Sequence, residues 1–319
     1  MRRLLIGLAA GTLFVAATAC GSSGSSGTDS ASGTTTLKIG VIPIVDVAPM
    51  YLGQKKGFYS ERGLKLEPTL AQGGAAIVPG VISGQFDFGF SNMTSLLVAR
   101  SKNMPVKAVV NGVASTGKEG ADFAEIAVKK GSPLKSAKDL EGKKVAANTL
   151  GNICDTSVNE SVRKAGGDPS KVEYVEMPFD QMPAALDKGQ VDAACVVEPA
   201  LATIKSQGGT VLASNFVDVS PDLTVAMYFT SQQYAQKNPE LVKKFQEATA
   251  ESLKYADSHP DEVREIITTY TKIPDSLLKT LVLPRWPAEP DRASIERLAE
   301  LGQQDGLFEK APDLDKLLP

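Results

Sequence analysis

The chain predicts an α/β protein of two similar lobes, each a mixed sheet flanked by helices, and three observations carry that reading. A pattern of helix end, glycine and short apolar strand occurs twice. It appears as Val81-Ile82-Ser83-Gly84-Gln85-Phe86-Asp87-Phe88-Gly89-Phe90 and as Leu186-Asp187-Lys188-Gly189-Gln190-Val191-Asp192-Ala193-Ala194-Cys195. In each, the glycine suits the left-handed turn that closes a helix. Around both copies, strand-like and amphipathic helical stretches take turns, the order of a sheet with helices on its faces. Residues 224–230 then read as a strand crossing back, and two crossings between lobes imply a hinge.

Taken in order, residues 37–42 alternate and end at Pro43, a first strand. A loop over 44–47 leads to a helix at 48–56, with Pro49 allowed in its first turn. A turn over 57–64 enters a strand at 65–70, and Gln72-Gly73-Gly74 opens a helix ending at Ser83. The first apolar strand of the repeated pattern follows, then a helix at 94–102 and a strand at 106–113. The pattern restarts after a strand at 123–128 and a break at 129–133. Helices are expected at 136–140, 153–165, 180–187 and 199–207, and strands at 144–147, 172–176 and 192–197. The remainder reads as helical over 240–258, 260–271, 275–280 and 291–302. Lobe one is therefore expected at 37–126 and 228–319, and lobe two at 127–227.

The 319 residues are 42% hydrophobic and 22% charged, enough for two cores, with a net charge of -3 from interspersed acids and bases. No Lys/Arg block occurs beyond the first three residues, so nucleic acid is not expected as a partner. Residues 1–20 read as a signal peptide: Arg2 and Arg3, then an apolar run from Leu4 to Ala17 too brief to span a bilayer. The ending Ala17-Thr18-Ala19-Cys20 resembles a bacterial lipobox, in which Cys20 is lipidated and becomes the mature N-terminus. The alternative is a plain secretory signal. Residues 21–36, mostly Gly, Ser and Thr, are expected to be a flexible tether from membrane to folded domain.

Cys154 and Cys195 lie in a compartment that permits disulfides, and a bridge or two buried free thiols both remain open. No metal-ligand spacing or cofactor motif occurs. The single histidine, His259, reads as a solvent-facing residue at a helix break.

In an open α/β sheet, ligands sit beyond the carboxyl ends of the strands, where loops lead into helix N-termini. Gly73, Gly74 and Ala75 offer amides that a ligand can approach, or form only a structural turn. Ser91, Asn92 and Thr94 follow a strand and open a helix, where ligand contact and capping compete. Asn152 sits in the equivalent loop, 148–152, of lobe two. Glu198 ends a strand and contacts ligand or favours a helix dipole. Asp46 lies just beyond the first strand and contacts ligand or caps the next helix. Tyr228 lines the cleft or packs at the hinge, and Ser115 is a further candidate. These strand-end loops carry two acids and no Arg or Lys. A zwitterion, an amine or a heterocycle with N–H donors therefore fits better than an uncompensated small anion.

Gly40-Val41-Ile42-Pro43, Ala48-Pro49-Met50-Tyr51-Leu52-Gly53 and Lys56-Gly57-Phe58-Tyr59-Ser60-Glu61-Arg62-Gly63-Leu64 resemble the opening of the nitrate/sulfonate/taurine-type (NitT/TauT) substrate-binding proteins of ABC importers. So does Gly189-Gln190-Val191-Asp192-Ala193-Ala194 running into Glu198-Pro199, and the superfamily includes binders of thiamine-pyrimidine precursors. The resemblance covers about residues 37–280. It implies a two-lobed periplasmic-binding-protein-like (type II) fold and an extracytoplasmic lipoprotein, monomeric and without cofactor. Such a protein captures a sulfonate, taurine-like zwitterion or nitrogen heterocycle by hinge closure and delivers it to an ABC permease and ATPase. A sensor passing a signal to a separate membrane partner is one alternative. The other is a pyrimidine-synthase-like enzyme that sacrifices its own side chains, whose chemistry needs a cleft histidine and a cysteine-rich motif. Neither occurs in this chain, so no enzyme is expected.

Overall fold

A computed structural model describes residues 33–319. The signal peptide at 1–20, lipidation of Cys20 and most of the tether lie outside the described residues. The tether expected to reach residue 36 ends sooner, because β1 (Thr35–Val41) already pairs at Thr35. Alternation extends to that threonine, and a β-branched residue suits a pleated edge.

Each strand and helix forms where the chain offers the right period and stop. After β1, Pro49 enters the first turn of α1 (Ala48–Lys56), and Gly57, at φ 93°, closes it in the left-handed region. Then come β2 (Leu64–Leu70), α2 (Gly74–Ile82), β3 (Phe88–Asn92), α3 (Met93–Ser101) and β4 (Val106–Ala114). The second half holds β5 (Ala124–Val128), β6 (Lys144–Ala147), α4 (Ile153–Lys164), β7 (Glu173–Glu176), α5 (Met182–Asp187), β8 (Ala193–Val197), α6 (Ala200–Ser206), β9 (Thr210–Ala213) and α7 (Asn215–Val219). The chain returns through β10 (Thr224–Ser231) into α8 (Gln232–Lys237), α9 (Pro239–Ser258), α10 (Pro260–Ile267) and α11 (Arg292–Gln304). The short helices expected at 136–140 and 275–280 are 3-10 turns over Ala137–Leu140 and Asp275–Thr280.

Two five-stranded mixed sheets result, ordered β2-β1-β3-β10-β4 and β7-β6-β8-β5-β9. In the first, β1 pairs in parallel with β2 and β3, and β10 runs antiparallel between β3 and β4. The second repeats this scheme, with β5 antiparallel between β8 and β9. In both sheets the antiparallel strand is the one that follows a passage between lobes. The passages occupy residues 115–123 and 214–223. The boundaries expected at 126/127 and 227/228 fall inside β5 and β10, because pairing, rather than apolar patterning, decides which sheet a strand joins. Gly120 N donates to Ser214 Oγ at 2.7 Å and Ser115 N to the Leu223 carbonyl at 2.9 Å, tying the two passages together.

The second sheet is buried on both faces. Val145, Val158, Val162 and Cys195 fill one side, and Met182, Leu186, Val196 and Leu201 the other. That is why β8 reads as a continuous apolar run. On the first sheet, Phe88 stacks on Phe245 of α9 at 4.1 Å, and Tyr228 meets Phe90 edge-on at 5.0 Å. The apolar cluster of this lobe continues into Phe123, Ile153 and Phe216, so the lobes are packed together. Cys154 and Cys195 are disulfide-bonded, with Cα atoms 5.8 Å apart, which resolves the alternative left open by the sequence. His259 is half-buried rather than solvent-facing: it divides α9 from α10 and stacks on Tyr255 at 3.8 Å.

Candidate functional site

The strand orders place a switch point in each lobe, between β1 and β3 and between β6 and β8, where successive connections leave in opposite directions. The loops beyond those four strand ends meet around a cavity of about 30 Å³. Ile42, Ile44 and Asp46 enter it after β1, and Phe90 and Asn92 at the end of β3. Asn148, Ile153 and Cys154 follow β6, Val197 ends β8, and Phe179, Phe216, Val225 and Ala226 complete the wall. The volume holds about two water molecules. A larger solute therefore requires the lobes to part.

Asp46 is the one ionisable residue in that lining. It is 2% exposed, and its Oδ1 is buried with no hydrogen-bond partner. Burial, reinforced by the negative charge of Asp122, pushes its carboxyl up to about 7, although its own backbone amide acts in the opposite direction. The capping alternative fails, since α1 begins without a side-chain cap. Its carbonyl accepts a hydrogen bond from Trp286 Nε1 at 3.3 Å, which fixes the loop from behind.

Asn92 caps α3 through Ser95 N at 2.9 Å, so its Oδ1 is engaged while it also lines the cavity. Asn152 caps α4, accepting from Cys154 N at 2.7 Å, and donates from Nδ2 to Asn148 Oδ1 at 2.8 Å. It stands behind Asn148, which takes the position at the cavity. Gly74 packs against Ser91, whose Oγ donates to the Asn92 carbonyl at 3.1 Å. Thr94 is fully buried with its Oγ1 unpartnered.

Other expected contacts fall elsewhere. Glu198 spends its carboxylate on backbone donors, Ala202 N at 2.9 Å and Val282 N at 3.2 Å, and so anchors α6 instead of facing the cavity. Burial pushes it up to about 7, with those two hydrogen bonds opposing. Ser115 donates to Asp122 Oδ2 at 2.5 Å within the first passage between lobes. Tyr228 lies behind Phe90, with its hydroxyl buried and unpartnered, so it supports the wall without lining it. Ala75 points outward on α2. Of the expected contacts only Asp46 and Asn92 line the cavity; its apolar wall, including Phe90, Phe179 and Phe216 on the unexpected α7, was not expected, and Asn148 lines it in place of Asn152. The paired asparagines of 148–152 were visible, but which one caps depends on the helix start.

Hydrogen bonds cross the mouth between lobes. Gln72 Nε2 donates to the Asn148 carbonyl at 2.7 Å, and Asn148 Nδ2 returns one to the Gln72 carbonyl at 3.1 Å. Val45 N donates to the Glu198 carbonyl at 3.1 Å. Gly73 lies so close to Asn148 and Thr149 that a Cβ there would meet Asn148 Nδ2 at 2.6 Å. Gly73→Ala is accordingly expected to displace the Asn148 side chain and break its hydrogen bond to the Gln72 carbonyl, weakening the hold between the lobes while each lobe still folds. Thermal melting checks this as a midpoint lowered by the equivalent of about 1 kcal/mol, the loss of one hydrogen bond.

The family model described as NMT1/THI5 like matches residues 44–263, more than two thirds of the chain. The taurine-binding periplasmic protein of Escherichia coli is 26% identical over 204 residues, covering 64% of this chain and 61% of that protein. The 4-amino-5-hydroxymethyl-2-methylpyrimidine phosphate synthase of Saccharomyces cerevisiae is 23% identical over 228 residues, covering 66% of this chain and 64% of that one. Among solved structures, the alkanesulfonate-binding protein SsuA from Xanthomonas axonopodis pv. citri bound to MOPS superposes with a TM-score of 0.76 at 18% identity. That match covers 90% of this chain and 99% of SsuA, and shares the fold.

Proposed function

Because the chain belongs to the NMT1/THI5-like family, we propose that it is the solute receptor of an ABC importer, capturing a small organic molecule between its lobes and releasing it to a permease and its ATPase. One observation carries the reading: loops from the switch points of both lobes converge on a single cavity whose sole carboxylate is buried with its Oδ1 unpartnered. A buried polar atom without a partner costs stability, and such costs concentrate where a ligand completes the site. The candidate contacts are Asp46, Asn92 and Asn148, with Gly73, Gly74, Ser91, Thr94 and Asn152 shaping them from behind. Lipidation at Cys20 and the tether give the receptor its place at the outer face of the cell membrane, where it acts as a monomer. Sulfonates, taurine-like zwitterions and nitrogen heterocycles are the solute classes among which the cavity's own chemistry must choose.

Binding, rather than chemistry, is supported by the residue inventory. The cavity lining holds no histidine, and its cysteine, Cys154, is tied up in the disulfide. A thermal-shift screen of the full chain against alkanesulfonates, taurine, organic amines and nitrogen heterocycles tests the proposal. A ligand at a hundred times its Kd stabilises the folded state by about 2.7 kcal/mol, a rise of several degrees in the midpoint. A panel in which no member moves the midpoint contradicts it.

A further inference from the structure

We propose that the solute is a nitrogen cation on a flat apolar body, its N–H groups seated on Asp46 and its body among Phe90, Phe179 and Phe216, and that nitrate and simple alkanesulfonates are excluded. The inference rests on the receptor reading and names the ligand class for that same cavity.

Charge is the first ground. Asp46 is the only ionisable side chain lining the cavity, and no Lys or Arg lines it to balance an oxyanion. An anion brought beside this carboxylate meets repulsion in a low-dielectric enclosure, whereas a cation supplies the partner that Oδ1 lacks. The second ground is that the amides opening α3 and α4, the two helix starts whose capping asparagine or its neighbour lies at the cavity, are already engaged. Asn92 takes Ser95 N at the start of α3, Asn152 takes Cys154 N at the start of α4, and Asp155 Oδ2 takes Asn152 N at 2.9 Å. The third ground is the lining itself, because Phe90 of β3, Phe179 and Phe216 of α7 supply apolar ring faces that a flat body can lie against once the lobes part.

Proton linkage follows. Asp46 must be ionised to hold a cation, and burial has moved its titration to about 7. The charge acting on it is that of Asp122, which raises it; the nearby phenols of Tyr228 and Tyr270, raised by burial and in part by Asp46 itself, stay protonated well beyond neutral pH and add no charge. Glu198 titrates over the same range but is committed to Ala202 N and Val282 N. Affinity for a permanently charged amine is therefore expected to rise about tenfold between pH 6 and pH 8.

Trp286, the sole tryptophan, donates to the Asp46 carbonyl, so its fluorescence reports on the site. The full chain is titrated with benzylamine, benzamidine, ethanesulfonate and nitrate at pH 6 and pH 8, as wild type and as Asp46→Asn. The expected result is saturable binding of the two amine-type probes and none of the two oxyanions. Asp46→Asn should weaken amine binding about 100-fold and flatten its pH dependence, the loss typical of a charge-assisted hydrogen bond. Thermal melting of the variant verifies that it is folded. Saturable ethanesulfonate or nitrate binding, unchanged or tightened in Asp46→Asn, overturns the inference and leaves the receptor reading standing. Silence from all four probes also overturns it, whereas silence across the wider thermal-shift panel overturns the receptor reading itself.

Discussion

Asp46→Asn is expected to stabilise the folded protein at pH 8 by about 4 kcal/mol, while removing its ability to hold a cation. The magnitude follows from the carboxyl's rise from 3.8 to about 7 at a site that is 2% exposed, at about 1.4 kcal/mol for each pKa unit. The sign follows from proton counting. Below pH 3.8 the group is protonated in both folded and unfolded chains, and Asn closely mimics it. Between 3.8 and about 7 only the folded chain keeps the proton, so wild-type stability from this residue falls as pH rises and is lost above about 7. The gap between variant and wild type should thus open from near zero at pH 4 to its full size at pH 8. Denaturant unfolding across that range measures it. Glu125 and Glu198, both pushed up to about 7 chiefly by burial, act in the same direction and remain in the variant. A variant less stable than wild type at pH 8 would mean that the carboxylate has a structural partner after all.

Removing the disulfide is expected to cost a similar amount. Cys154 and Cys195 are separated by 41 residues, and closing a loop of that length stabilises by about 4 kcal/mol in the chain-entropy view. For a protein whose whole stability is typically about 5–15 kcal/mol, that is a large share. The bridge joins the first turn of α4 to the centre of β8, and Cys154 itself lines the cavity. Its loss should therefore loosen the Asn148–Asn152 loop as well as the lobe. Chemical unfolding of the Cys154→Ala, Cys195→Ala double variant checks the expectation. A change below about 1 kcal/mol would show that packing of α4 on β8 suffices without the covalent link.

Much of the architecture was legible because local signals and tertiary demands agree. Proline in the first turn of α1, left-handed Gly57, and the two copies of the Gly-containing pattern all mark boundaries by backbone sterics alone. Elements were missed where no period had room to develop. The strand β9 spans four residues, and α7 spans five after Ser214, too short for a helical stripe to show. With α7 went Phe216, a wall of the cavity. Side-chain roles were harder still. Glu198 ends a strand much as Asn92 does, yet the backbone amides of Ala202 and Val282 claim it. Asp46 was identified from its place after β1, but nothing local reveals that its Oδ1 lacks a partner. Such facts depend on residues distant in sequence, including Trp286 behind the loop.

Hydrogen exchange with and without a bound solute distinguishes a clamp between lobes from a site on one of them. Saturating solute should slow exchange together in the loops around Asp46 and Asn92 on one lobe and around Asn148 on the other, because locally open forms of both become rarer. Protection confined to a single lobe, or appearing away from these loops, would contradict capture between the two halves.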